Sequence, residues 1–490
     1  MGYESVIGLE VHVQIKTESK LFCPCATTFG APPNTNICPI CAGLPGVLPV
    51  LNKKAVESLI KTALALNCSV RQESIFARKQ YFYPDLPKNY QISQYEKPLS
   101  EHGSIMVLPS IKNSSDQPKK IGITRIHLEE DAGKLLHTVG SLNLDGSLVD
   151  LNRAGIPLME VVSEPDMRSP QEAQDYLTTL KMILQYLEVS DCDMEKGSLR
   201  CDANVSIRAD ESKPLGSKVE VKNLNSFRGV RDALEYEIQR QTRMAESNER
   251  IVQETRLWDA EKGESRSMRS KEEAHDYRYF PEPDLLPLRV TPEQIQTIRK
   301  EIPELPAERR SRFAREYQIL DYDAAVLTSD KEIADFYERS VKSVASITSK
   351  PAAKLLSNWI TTELSGRLNQ SNKAIAESPI SPENLARLVK LIAEETISGK
   401  IGKIVFEEMW NSGGNPEKIV KEKGLTQVLD QGQILKWVEE AIAQNPKATE
   451  EFRSGKERAI GAIVGTVMKI SQGQANPELV NRLLRERLKS

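Results

Sequence analysis

Ser5-Val6-Ile7-Gly8-Leu9-Glu10-Val11-His12-Val13-Gln14-Ile15 sets the reading of the whole chain. Ile7, Leu9, Val11, Val13 and Ile15 recur at every second residue, the period of a β-strand with one buried face. Glu10, His12 and Gln14 are left on the other face. Two residues of strand rise separate Glu10 from His12 by about 7 Å, so both can lean towards one metal ion or one metal-bound phosphate. A solvated outer face of a sheet accounts for the same alternation, and only further acids favour catalysis.

Those acids come in Gly122-Ile123-Thr124-Arg125-Ile126-His127-Leu128-Glu129-Glu130-Asp131-Ala132-Gly133-Lys134, where an apparent strand runs into three consecutive carboxylates and a glycine turn. Mg²⁺ takes oxygen ligands and keeps water while it binds ATP phosphates. An acidic turn capping a strand is the alternative, and spacing alone does not choose the ligands. In Asp150-Leu151-Asn152-Arg153-Ala154-Gly155-Ile156-Pro157-Leu158-Met159-Glu160, Arg153 suits transferring phosphate oxygens and Glu160 suits the metal environment. A structural loop leading into a strand fits that stretch equally. The cations and aromatics of Phe76-Ala77-Arg78-Lys79-Gln80-Tyr81-Phe82-Tyr83-Pro84-Asp85 offer a pocket for a nucleobase or an amino-acid ester, or simply interior packing.

The most specific motif is Cys23-Pro24-Cys25 followed by Cys38-Pro39-Ile40-Cys41. Two short pairs can fold into a four-thiolate shell, which favours structural Zn²⁺ and leaves no position for a catalytic water; a redox pair or packed thiols are the alternatives. Cys68, Cys192 and Cys201 read as buried small side chains. His102, His127, His137 and His275 form no spacing motif, so nonligand roles are their default. No Gly-x-x-x-x-Gly-Lys-Ser/Thr loop occurs, which disfavours a P-loop ATPase, and no Ser–His–Asp or Cys–His arrangement suggests glutamine hydrolysis.

Around these motifs the chain reads as α+β. Short strands and Gly/Pro turns fill residues 1–290, a helical connector follows at 291–340, and 341–490 is an all-helical tail without His or Cys. Helix starts are written at Ser169-Pro170-Gln171-Glu172, Thr291-Pro292-Glu293 and Ser381-Pro382-Glu383, each a capping residue, a proline and an acid. The net charge of -3 conceals an asymmetry, for the tail carries 22 Lys/Arg against 17 Asp/Glu. That surplus suits a phosphate-rich partner or mere solubility. No long apolar segment or secretory leader is evident, and the expectation is a soluble bacterial cytoplasmic protein, with an organellar matrix or stroma as the minor alternative.

Taken together, the segments resemble the GatB family, the B subunits of aspartyl/glutamyl-tRNA amidotransferases, over essentially the full chain. The marks are residues 6–12, 81–85, 126–134 and 152–158, Lys222-Asn223-Leu224-Asn225-Ser226-Phe227, Asp276-Tyr277-Arg278-Tyr279-Phe280-Pro281-Glu282-Pro283-Asp284 and Gly473-Gln474-Ala475-Asn476-Pro477. The resemblance implies a cradle body with a zinc-binding insertion, a helical linker and a tail that helps bind tRNA. It implies a heterotrimeric complex with two partners, a glutaminase and a small protein that braces the assembly. It also implies ATP-dependent phosphorylation of the side-chain carboxylate of Glu-tRNA(Gln) or Asp-tRNA(Asn), followed by amidation with ammonia. Glu10, His12 and Glu130 are then the expected Mg²⁺ site, with Glu129 and Glu160 nearby. Lys79 matches a position at the exit of an ammonia channel, where it relays a proton if neutral or orients the carboxylate if charged. The four cysteines match a zinc-containing branch, and Lys456, Arg458 and Lys469 are candidate tRNA contacts, although a basic helical surface facing another protein fits them too. A noncatalytic tRNA-binding scaffold is the competing function.

Overall fold

The computed structural model describes residues 2–108, 117–139, 142–210, 213–270, 277–344, 350–425, 430–471 and 473–489; His275 and Asp276 lie outside them. The chain forms two compact units, Met1–Ala307 and Glu308–Ser490.

The first unit is built on a nine-stranded sheet. Its strands are β1 (Glu4–Gln14), β2 (Ser69–Val70), β3 (Ser100–Val107), β4 (Lys119–Glu130), β5 (Pro157–Ser163), β6 (Leu199–Arg208), β7 (Val219–Leu224), β8 (Glu254–Asp259) and β9 (Glu264–Ser270). They lie in the order β9-β8-β7-β6-β1-β5-β4-β3-β2. All pairings are antiparallel except β7 with β8, which helix α3 (Phe227–Glu246) connects. The opening run therefore becomes a central strand.

One face of the sheet is closed. Ile7, Leu9, Val11 and Val13 are at most 1% exposed and join an apolar core with Leu59 and Ile60 of α1 (Lys53–Ala65), Leu177 and Leu180 of α2 (Pro170–Tyr186), and Val230 and Leu234 of α3. Glu10, His12 and Gln14 are half-buried on the opposite face. Non-directional apolar burial thus fixes which side of the sheet remains for chemistry.

Gly103 in β3 reflects how tightly this core closes. A Cβ there would stand 2.2 Å from Cys68 Sγ and 2.6 Å from the Leu66 carbonyl oxygen. Gly103→Ala is expected to destabilise the first unit by about 1–3 kcal/mol, the usual range for overpacking, and to lower its urea midpoint. An unchanged midpoint would show that the α1–β2 turn yields freely.

The helix starts follow their local chemistry. Ser169 accepts from Glu172 N, Ser381 accepts from Asn384 N, and Thr291 with Gln294 forms a reciprocal capping box. At α2 the returning carboxylate differs from the expected form: Glu172 accepts from the backbone N–H of Arg168 rather than Ser169. The stretch 291–340 is divided between the units. α4 (Pro292–Lys300) places Ile298 in the first core, and Phe313 of helix Pro306–Tyr317 enters an apolar cluster of the second unit. The named elements of the second unit are all helices, with a further cluster around Ile434, Ile463 and Leu484. No helix among the described residues is long and apolar enough to cross a membrane.

Candidate active site

Register assembles the polar face. His12 of β1 lies opposite Glu160 of β5, and Glu160 lies opposite His127 of β4, so the three form one row across the sheet. Glu129 stands two residues beyond His127 and on the same face. His12 Nε2 is 3.6 Å from Glu160 Oε2 and 3.7 Å from Glu129 Oε1. His127 Nε2 is 3.2 Å from Glu160 Oε2 and 3.8 Å from Glu129 Oε2. One ligand atom each from His12, Glu129 and Glu160 fits within 4.8 Å of the others, a set that one cation can span.

The electrostatics explain how two buried carboxylates persist side by side. Burial alone would raise both carboxyls, but His127, His12 and Lys79 hold Glu129 and Glu160 below the ordinary range. Burial also works against the His127 imidazolium, yet Glu160 and Glu129 push it up to about 9. His127 is thus a built-in counter-ion to the two carboxylates, while His12 is the histidine of the cation-sized set.

Lys79 reaches this cluster from a separate small sheet, in which Ala77–Gln80 pairs with Tyr90–Ser93 and with Phe280–Pro281. Ser93 Oγ donates to Glu129 Oε2 at 3.2 Å, which ties the small sheet to the end of β4. Lys79 Nζ sits 4.9 Å from the Tyr277 ring centre and 5.9 Å from that of Tyr81. Burial disfavours its charge, but Glu129, the tyrosines and Glu160 hold it above the ordinary lysine range. These neighbours favour its ammonium form, which suits orienting a carboxylate.

The other expected residues take different positions. Glu10 is two residues from His12, outside the triad, and accepts from Asn204 Nδ2 at 2.9 Å. Glu130 is not brought to His12: it ion-pairs with Lys88 and accepts from Ile92 N at 2.9 Å. Arg153 directs Nε to the Ala132 carbonyl at 2.9 Å and an amino group to that of Gly133 at 2.6 Å, bracing the turn after the acids. Asp131 is held low despite burial by Arg200, Arg153 and Gln14. Lys456, Arg458 and Lys469 are all exposed in the second unit, with Lys456 Nζ 3.6 Å from Glu451.

Residues 5–296 match the family model described as the GatB/GatE catalytic domain, and residues 335–488 match the GatB domain. The chain belongs to the GatB/GatE family. Three relatives, each named as the B subunit of aspartyl/glutamyl-tRNA(Asn/Gln) amidotransferase, cover the chain end to end. That of Carboxydothermus hydrogenoformans is 54% identical over 486 residues, 99% of each chain. Those of Persephonella marina and Geobacter sulfurreducens are each 53% identical over 489 and 490 residues, 100% of both chains.

The cysteine insertion of this GatB/GatE chain forms a second metal-compatible cluster. Cys23, Cys25, Cys38 and Cys41 bring their sulfurs within 4.8 Å of one another. Cys41 Sγ is 3.9 Å from Cys38 Sγ and 4.0 Å from Cys25 Sγ, far beyond a disulfide. Tetrahedral metal–sulfur arms of about 2.3 Å imply sulfur–sulfur edges of roughly 3.8 Å. The Cys23 thiol, opposed by burial and aided by the Cys38 N–H and Lys20, draws Cys41 down to about 4. Lys20 is only 1% exposed, and its Nζ lies 3.5 Å from Cys41 Sγ and 3.2 Å from the Leu151 carbonyl oxygen. A buried amine so placed suits an anionic sulfur such as a metal thiolate would supply.

Sequence reading assigns His127 only a nonligand default and passes over Lys20. The alternation Arg125, His127, Glu129 is a usable signal for the first. Nothing local marks Lys20, since long-range folding creates its burial.

Proposed function

We propose that this chain is the activating and amidating component of a tRNA-dependent amidotransferase. It phosphorylates the side-chain carboxylate of Glu-tRNA(Gln) or Asp-tRNA(Asn) with ATP and then admits ammonia from a glutaminase partner. The supporting observation is one sheet face on which a cation-sized set, His12, Glu129 and Glu160, stands beside the Lys79 ammonium. End-to-end relationship to amidotransferase B subunits supports the substrate class.

His12, Glu129 and Glu160 would hold Mg²⁺, with Glu10 next to them on β1. When bound, Mg²⁺ supplies charge neutralisation for the polyphosphate. Lys79 orients the substrate carboxylate, whose oxygen attacks the terminal phosphorus as the bond to the bridging oxygen breaks and ADP leaves. His127 keeps Glu129 and Glu160 ionised for their cation without itself leaving the face. Ammonia then attacks the acyl carbon, the carbon–oxygen bond to phosphate breaks, and loss of a proton from nitrogen gives the amide and inorganic phosphate. The cysteine cluster would hold Zn²⁺ as a closed structural shell. The tail, with Lys456, Arg458 and Lys469 exposed, would contact tRNA phosphates, and the glutaminase and the small bracing partner would complete a cytoplasmic complex.

The test supplies the reconstituted heterotrimer with ATP, Mg²⁺, ammonium and each charged tRNA in turn, so that glutamine hydrolysis is bypassed. ADP and amidated tRNA are quantified together. Stoichiometric formation of both is expected with at least one charged tRNA. A folded complex that binds charged tRNA but yields no ADP with either would leave the scaffold reading in its place.

A further inference from the structure

Arg125 stands apart from the ion-paired arginines of the first unit. Arg200 and Arg153 face Asp131, Arg78 holds Glu282, Arg208 holds Glu4, and Arg256 holds Glu254. Arg125 makes no ion pair and no side-chain hydrogen bond among the described residues, and its Nε is buried without a partner. Burying a donor with no acceptor is costly, and in a native fold such a group points to a missing partner.

Its placement is the work of a β-bulge. The pairing of β4 with β5 runs regularly from Glu130 to Arg125, which faces Val162, and then jumps so that Ser163 faces Ile123. The buried positions of β4 accordingly change phase, from Ile121 and Ile123 to Ile126 and Leu128. The extra residue turns Arg125 onto the face of His127 and Glu129, and bulges beside active sites commonly re-aim a side chain in this way. Arg125 is one strand pair, about 7 Å, from His127. Its guanidinium carbon lies 5.8 Å from the Tyr95 ring centre. Tyr95 in turn stacks on Tyr279 at 4.1 Å with an interplanar angle of 4°. The Tyr279 phenol, raised by burial, feels Lys79, Glu129 and Arg125 together, so Arg125 belongs to the same electrostatic environment as the cation site.

We infer that Arg125 is a phosphate-binding residue whose guanidinium clamps the polyphosphate of the nucleotide while His12, Glu129 and Glu160 hold its cation. The inference rests on the phosphorylation reading above. A planar guanidinium with an unused donor suits bidentate phosphate binding. The neighbouring Tyr95 face supports the flat guanidinium by a cation–π contact. Phosphates of the RNA backbone share the same chemistry, and the measurements separate the two sources.

The experiment compares wild type, Arg125→Ala and Arg125→Lys in the assembled complex. Arg125→Ala is expected to lower the ADP-forming kcat/KM for ATP by about 100–1,000-fold, as removal of one preorganised contact to developing charge does. The dissociation constant for charged tRNA and the thermal midpoint should stay put. Added guanidinium chloride at millimolar concentration should restore part of the rate to Arg125→Ala and none to wild type, a response that a merely structural arginine does not give. Arg125→Lys should fall between. A tRNA affinity that drops while ATP parameters hold would assign the residue to RNA and overturn the inference. So would Arg125→Ala activity within about threefold of wild type, or a loss accompanied by a lowered midpoint without guanidinium rescue. If wild type itself forms no ADP, the phosphorylation reading fails separately. The phosphate claim is then decided by titrating inorganic pyrophosphate: tenfold tighter binding to wild type than to Arg125→Ala upholds it, and equal binding overturns it.

Discussion

Glu129→Gln is expected to reduce amidated tRNA and ADP formation together by about 1,000-fold in a complex that still assembles and binds charged tRNA. The amide keeps the shape and the contact from Ser93 Oγ but removes one of the two carboxylates facing His12 Nε2 at 3.6–3.7 Å. Glu160 still pairs with His127, so the fold keeps its buried ion pair. Glu130→Gln is the informative contrast. It withdraws the partner of Lys88 on the other side of the strand, so the expected damage is to stability, on the order of 3–5 kcal/mol, while folded complex retains turnover. Steady-state ADP release, normalised to folded complex by circular dichroism, separates the two. The reverse pattern, with chemistry lost in folded Glu130→Gln and kept in Glu129→Gln, would return the cation site to the Glu10, His12 and Glu130 set that the family resemblance suggests.

The second large effect concerns the cysteine cluster. Cys41→Ser is expected to abolish stoichiometric zinc and to destabilise the first unit by about 3–5 kcal/mol, the range for leaving one half of a buried charge pair alone. The stranded charge is Lys20, 1% exposed beside Cys41. Damage should travel along a defined hydrogen-bond path. Leu21 N–H donates to the Gly155 carbonyl, Gly155 N–H donates to the Asp131 carbonyl, and Asp131 N–H donates to that of Ile156. Hydrogen exchange at Leu21, Gly155 and Asp131 should therefore accelerate in Cys41→Ser and on chelation of wild type. The metal content by elemental analysis and the urea midpoint carry the test. Retained zinc with an unchanged midpoint would return the thiols to the alternative of simple packing.

The Glu129 and Glu130 outcomes separate because the acids of β4 divide between opposite faces. The division could not be counted from the chain. Counting alternation forward from Ile121 and Ile123 puts Glu130 on the polar face and Glu129 in the core. The bulge beside Arg125 inverts the phase, so that Ile126 and Leu128 are buried and Glu129 faces His12. A one-residue slip exchanges every side chain across a sheet. Read forward from Ile121, the same count assigns Arg125 and His127 to the core side, and only the alternation of polar residues at 125, 127 and 129 marks them as sharing a face.

The sequence by itself determined the opening strand and its two faces, the starts of the capped helices, the pairing of four cysteines into one cluster, and the family, through motifs spread over nearly the whole length. Each depends on short spacing: a two-residue apolar repeat, a cap three residues from its N–H, a sulfur two or three residues from the next. The tertiary structure decided which acids meet His12, that Lys79 reaches them from a separate sheet, that His127 neutralises them, and that Lys20 lies against a thiolate. Those facts depend on interstrand register, a bulge and burial, all set by contacts between residues tens to more than a hundred positions apart. No local pattern carries them, because the free energy that fixes them comes from closing the shared core.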